Sequence, residues 1–175
     1  YKVGALYSTA EANDIKTAGK VHDGKQSFWI NAQQQLSHAG QDPKRGLYVS
    51  FNGVVNDKAT TFVQSTQQLA LWYKGPFDSR PNDSIGFGIA NYVVNDRAKD
   101  KQIATNESRG YYSYDPIASD YIPIQDDDLN VELNYTYQWS PAVMLRPNIQ
   151  YIHQPAGVKE VDDAWVAGLS VKVNF

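Results

Sequence analysis

The sequence predicts an all-β chain, an antiparallel transmembrane β-barrel of about eight strands, and three observations predict it. Apolar and polar residues alternate with period two over runs that reach eleven residues. A bilayer-crossing strand needs ~9–11 residues, whereas soluble strands centre on ~5–6. Aromatic residues make up 13% of a chain whose mean hydropathy is −0.52, the mixture that alternating strands produce. The longest apolar run, Ala164 to Leu169, falls far short of the ~18 residues of a spanning helix.

Each element follows from its own alternation. Tyr1 to Ser8 and Ser27 to Ser37 are the least regular strands. Gly46 to Asn56 sets Leu47, Val49, Phe51 and Val55 against Tyr48, Ser50, Asn52 and Asn56. Phe62 to Lys74 sets Val63, Leu69, Leu71 and Tyr73 against Gln64, Thr66, Gln68 and Trp72. Ser84 to Asn95 places Ile85, Phe87, Ile89 and Val93 opposite Ser84, Gly86, Gly88, Ala90 and Tyr92. Leu129, Val131, Leu133, Tyr135, Tyr137 and Trp139 then interleave with Asn130, Glu132, Asn134, Thr136 and Gln138. After the Ser140-Pro141 turn, Val143 to Ile152 forms a strand in which Pro147, having no N–H to donate, predicts a bulge or an unpaired site. The last strand carries Trp165, Ala167, Leu169, Val171, Val173 and Phe175 on one face.

The connections gather at one end. Thr9 to Gln26, Asp96 to Asp128 and Gln154 to Asp162 are long and polar, whereas Gly75 to Asp83 and Ser140-Pro141 are shorter or Pro/Gly-marked. Asp57 to Thr61 is short where this scheme expects a long loop. The 96–128 loop is too long for an idle connection in a compact domain, which points to a functional role. An inward fold would make it part of a constriction.

Composition closes off other classes. The chain has 175 residues, which bounds it to one domain or part of one. With no cysteine it has neither disulfides nor thiolate chemistry. Sixteen Lys+Arg against 19 Asp+Glu leave no basic stripe, so no nucleic-acid partner is expected. His22, His38 and His153 have no matched nucleophile spacing, and Asp126-Asp127-Asp128 lacks a calcium-loop pattern. No catalytic residue, metal or cofactor is expected.

Aromatics at strand ends, Tyr135, Tyr137, Trp139, Trp165 and Phe175, fit the two interfacial girdles of a bilayer. Lipid offers no hydrogen-bond partners, so a spanning sheet must close, either with eight strands alone or within a larger ring.

The C-terminal third carries a resemblance. Glu132-Leu133-Asn134-Tyr135, Arg146-Pro147-Asn148-Ile149-Gln150-Tyr151-Ile152, His153-Gln154-Pro155-Ala156-Gly157, Ala164-Trp165-Val166-Ala167-Gly168-Leu169 and Phe175 together resemble the carbohydrate-selective porins of Gram-negative outer membranes, the OprB-like family. Gly46 to Phe51 and Ser84 to Ala90 resemble its middle strands. The resemblance implies a sixteen-stranded barrel that passes glucose and related sugars down a gradient without catalysis. Because it covers only the C-terminal half of such a porin, residues 1–175 are expected to be the C-terminal portion of a single barrel domain. It also implies a monosaccharide solute, outer-membrane lipid and the barrel-assembly machinery as partners, with monomer and trimer both open. Phe175, with Val173 and Val171 at two-residue steps, resembles the signal that such barrels present to that machinery.

If the apolar rows face lipid, the lumen receives Glu132, Asn134, Gln138, Arg146, Asn148, Gln150, Lys172 and Asn174, with Gln64, Gln68, Trp72 and Tyr92. Such a wall exchanges hydrogen bonds with sugar hydroxyls while an aromatic face packs on the C–H surface. The candidate solute contacts are Arg146, Glu132, Asn148, Gln150, Lys172 and Trp72. Arg146 leads, because its planar fork can hold two adjacent hydroxyls and Glu132 on a neighbouring strand is expected to orient it. Trp72 and Trp29 also suit girdle or packing positions. Two further readings stay open: a complete eight-stranded outer-membrane barrel with a structural or adhesive role, and a soluble carbohydrate-binding β-sandwich.

Overall fold

Ten strands, one α-helix and one short 3₁₀ turn cover the chain in a computed structural model that describes residues 1–175. The strands are β1 (Lys2–Ser8), β2 (Ala12–Asn13), β3 (Val21–His22), β4 (Lys25–Gln35), β5 (Gly46–Asn56), β6 (Val63–Lys74), β7 (Ser84–Val94), β8 (Asp128–Gln138), β9 (Val143–His153) and β10 (Ala164–Val173). All but β2 and β3 form one antiparallel sheet in the order β1-β4-β5-β6-β7-β8-β9-β10, each strand beside its successor in the sheet. An 11-residue strand such as β8 spans about 36 Å at ~3.3 Å per residue. Tilted by ~45°, it projects to about 26 Å, the height of the ~25 Å apolar band of outer-membrane barrels.

The register is continuous enough to draw rows across the wall. Gln35, Tyr48, Trp72, Gly86, Asn134, Asn148 and Gly168 pair successively from β4 to β10, and Gln33, Ser50, Ala70, Gly88, Glu132, Gln150 and Val166 form the next row on the same face. Phe51, Leu69, Ile89, Val131, Tyr151 and Trp165 form a row on the other face. Because side chains alternate with period two, a one-residue slip anywhere would exchange these faces.

This sheet has no core of its own. Only 10 of 175 residues are buried, and Ala98 is the one buried apolar side chain among them. The accessible surface is 11162 Å², against roughly 8,600 Å² expected for a soluble monomer of this mass. Val3, Phe28, Phe87, Leu133 and Leu169 stand exposed on the apolar face. A soluble sandwich would pack these rows against a second sheet, and none is there, which corrects that reading. The eight-stranded closed barrel is also corrected, since β1 and β10 are not paired and the sheet stays open.

Two local departures have physical causes. Pairing of β8 with β9 runs from Leu129↔His153 to Asn134↔Asn148 and resumes at Tyr137↔Leu145, so Pro147 interrupts the ladder without shifting it. The sheet's bulge lies elsewhere, between Val63 and Ser65 on β6. Gln64, expected on the lumen face beside Gln68, therefore sits at the irregularity.

Polar contacts bind the connections at each end. At the end bearing the shorter turns, the Arg45 guanidinium donates to the Gly75 carbonyl (2.8 Å) and pairs with Asp78 (2.9 Å), and Arg80 reaches the Gln138 carbonyl (3.1 Å). Each turn is thus tied to the next. At the opposite end, the 96–128 connection opens with helix α1 (Asp96–Ser108), capped by the Asn95 side chain, which accepts from the Arg97 N–H (3.0 Å). The Asn95 amide also donates to the Lys58 and Thr61 carbonyls, both at 2.8 Å. Buried Asp14, from the connection carrying β2 and β3, accepts two hydrogen bonds from Arg97 (2.8 and 2.9 Å) and contacts His22 (2.9 Å). Lys99 pairs with Asp126, whose N–H bonds the Gly157 carbonyl. The connections after β1, β5, β7 and β9 thereby form one knitted layer.

Candidate functional site

Period-two geometry puts Trp72, Glu132, Arg146, Asn148, Gln150 and Lys172 on one face of the sheet. A cavity of about 510 Å³ lies on this face across β6 to β9, with Gln68, Trp72, Glu132, Asn134, Arg146 and Gln150 in its lining. Its floor is open because β7 contributes Gly86, Gly88 and Ala90 there.

Glu132 is the hub of the polar wall. Its two carboxylate oxygens accept from the Asn134 amide (2.8 Å) and the Gln150 amide (2.7 Å). The orienting contact expected between Glu132 and Arg146 does not form. Gln150 is the residue opposite Glu132, and Arg146 lies four residues further along β9, about 13 Å at the strand rise. The Arg146 guanidinium is left exposed, with no side-chain partner, beside Lys172 on the neighbouring strand, also exposed.

Glycines let the amides lie flat. A Cβ at Gly168 would come within 2.7 Å of Asn148 Oδ1, and one at Gly86 within 2.8 Å of Asn134 Oδ1, so each Asn covers the glycine of the adjacent strand. The Asn148 Oδ1 is enclosed against Gly168 and has no hydrogen-bond partner, whereas its Nδ2 is neither enclosed nor bonded, which leaves a donor on the wall. Trp72 stacks on Tyr48 with ring centroids 5.3 Å apart and planes 7° from parallel. Tyr48 was absent from the sequence candidates, although its place opposite Trp72 follows from the two alternations once the strands pair in register. Trp29 also lies on the polar face, its indole covering Gly4, which makes it a packing residue rather than part of a girdle.

The remaining expected residues are dispersed. Phe175 is fully exposed beyond the end of β10, where the Asn174 N–H still bonds the Ala142 carbonyl (2.9 Å). Asp126, Asp127 and Asp128 diverge to Lys99, the Val94 N–H and the Asn130 amide, so their carboxylates do not converge on one point. His22 and His153 meet Asp14 and Asp163, and His38 lies against Gln35 and the Pro43 carbonyl.

A single-layer sheet, apolar and exposed on one face and lined by amides on the other, has the two-sidedness of a membrane-barrel wall. The sequence profile of the carbohydrate-selective porin, OprB family, matches residues 1–175. This chain belongs to that family. It is 81% identical over its whole length to "Putative porin QuiX" of Acinetobacter baylyi, covering 40% of that protein, and 43% identical to "Porin B" of Pseudomonas aeruginosa, covering 41% of it. The high-pH structure of OprB from Pseudomonas putida superposes with a TM-score of 0.93 at 40% identity, over 99% of this chain and 44% of that one. The chain thus spans about two fifths of the length of the curated relatives it matches.

Proposed function

We propose that residues 1–175 are the C-terminal portion of an outer-membrane barrel of sixteen strands, through which sugars such as glucose diffuse passively, without catalysis and without a cofactor. The observation that carries this reading is the two-sidedness of the sheet: exposed apolar rows outside, and inside a cavity walled by Glu132, Asn134, Gln150 and Arg146. The apolar rows meet outer-membrane lipid, and the free edges of β1 and β10 pair with the strands that complete the ring. The shorter turns and Phe175 then face the periplasm, where Phe175 is the mark read by the assembly machinery, and the knitted layer faces outward.

On the wall, the free Arg146 fork and the Asn148 Nδ2 donate hydrogen bonds to passing hydroxyls, and the Tyr48–Trp72 stack offers an apolar edge to the sugar's C–H groups. Glu132 acts through Gln150 and Asn134, holding their amides in place. Lys172 adds a second positive charge near Arg146. The test is glucose influx into vesicles carrying the full-length protein. Arg146→Ala is expected to change the influx severalfold with strand content unchanged, and unaltered influx would remove Arg146 from the solute path.

A further inference from the structure

A second cavity lies away from the strand wall, within the outer layer of connections. Its volume is about 200 Å³, below the ~300–1,000 Å³ of sites for drug-sized ligands and suited to one small ring. Tyr111, Tyr114 and Tyr121 from the segment after α1 line it, with Glu107 from α1 and Glu160 from the β9–β10 connection. The rings pack edge to face around Tyr121, with centroids 5.9 Å from Tyr111 and 5.6 Å from Tyr114.

Its polar groups are unevenly satisfied. The Tyr111 hydroxyl donates to Asp120 (2.7 Å), whereas those of Tyr114 and Tyr121 have no partner. The Glu160 Oε2 is enclosed, and nothing donates to it. The other oxygen, Oε1, is not enclosed and receives no donor from the chain either, so it is the one free to accept. Burial pushes the Tyr121 hydroxyl above its ordinary pKa and the nearby Glu160 charge adds to the shift, which keeps that hydroxyl protonated and able to donate.

These groups select a class of ligand. The free acceptor on Glu160 and the free hydroxyls on Tyr114 and Tyr121 match a molecule whose own groups both donate and accept, which is the chemistry of a polyol. An organic cation would use the rings and carboxylate but leave the tyrosine donors idle. Glu107 and Glu160 face the cavity with no Lys, Arg or His in its lining, which disfavours an anion. Tyrosine faces suit the C–H surface of a pyranose.

We propose that this pocket is a capture site for a neutral monosaccharide, separate from the strand wall, that holds sugar at the outer end of the channel. The proposal rests on the channel reading and adds a residence point ahead of the pore.

The test uses the full-length protein in detergent and in vesicles, with D-glucose as the probe, and compares wild type with Glu160→Ala and Tyr121→Phe. Strand circular dichroism of both variants is expected to equal wild type, because neither residue lies in a strand. Equilibrium titration is expected to show glucose affinity reduced about tenfold or more by Glu160→Ala, the loss that follows from one charge-assisted hydrogen bond. Tyr121→Phe is expected to lose severalfold. Influx is expected to fall in both variants at low glucose and to match wild type at saturating glucose. Wild-type affinity in both variants, or displacement of glucose by tetramethylammonium, would overturn the capture site while leaving the channel intact. A wild-type protein that admits no glucose would instead refute the channel reading. Titration would then judge the pocket alone, with absence of binding overturning it and variant-sensitive binding supporting it.

Discussion

Removing the Asp83 carboxylate is expected to loosen the wall at the end bearing the shorter turns. Asp83 is 1% exposed and accepts four hydrogen bonds: from Arg80 at 2.8 and 3.1 Å, from the Tyr135 hydroxyl at 2.6 Å and from the Gln138 N–H at 2.9 Å. It therefore fastens the β6–β7 turn to β8. In Asp83→Ala the Tyr135 and Gln138 donors each forfeit a charge-assisted bond worth about 1.5 kcal/mol or slightly more. Arg80, with 32% of its side chain exposed, regains water, and its share is about 0–1 kcal/mol. The expected loss is about 3–4 kcal/mol, and about half of it for Asp83→Asn, which keeps the shape and one acceptor. Urea unfolding of the full-length protein in detergent, followed by strand circular dichroism, measures it. A pH series adds a signed check. Burial raises the Asp83 pKa, but Arg80, Tyr135 and Gln138 outweigh it and hold the pKa below the ordinary carboxylate value. The stabilisation is thus complete above about pH 4, the unfolded-state value, and disappears as pH falls through the lower folded-state value. An Asp83→Ala protein within about 0.5 kcal/mol of wild type at pH 7 would refute the fastening role, since surface substitutions lie in that range.

Three further outcomes follow from the two ends of the sheet. His22, the Thr17 and Lys16 N–H groups and Arg97 hold the Asp14 pKa down against its burial, and Lys99 does the same for Asp126. Hydrogen exchange of α1 is therefore expected to stay protected from pH 7 to 5 and to rise only below about pH 4, and loss of protection already at pH 6 would contradict these ties. Gly157 has φ +68°, and a Cβ there would run into the Asp126 carbonyl oxygen. Gly157→Ala should cost at least the ~1–2 kcal/mol of a left-handed residue and expose the adjoining connection to proteolysis, with β9 and β10 intact. Phe175→Ala should leave refolding in detergent unchanged while lowering the amount assembled in cells severalfold, and normal assembly would remove the recognition proposed for this side chain.

Period-two alternation was legible because the sheet is apolar on one face and polar on the other, so each strand records its orientation independently. That is why the parity of β5, β7, β8, β9 and β10 could be read residue by residue, and why Pro147 marked the gap in the β8–β9 ladder. The start of β6 was misread for the same reason in reverse. Gln64, Ser65 and Thr66 are all polar, so the alternation carries no phase there and a bulge leaves no trace. Helix α1 was invisible because its sequence, Asp96 to Ser108, is polar on every side. It is held by Asn95, Asp14 and Asp126 rather than by an apolar stripe, and such partners far away in sequence have no periodicity. The Glu132–Arg146 pairing failed at a different level. Neighbouring strands and opposite charges were both visible, but contact also requires register, and the register sets Gln150 opposite Glu132. Faces are properties of single strands, whereas sites are properties of pairs. In a wall one layer thick, with no core to bring distant side chains together, the ladder register therefore decides which candidate residues act as a unit.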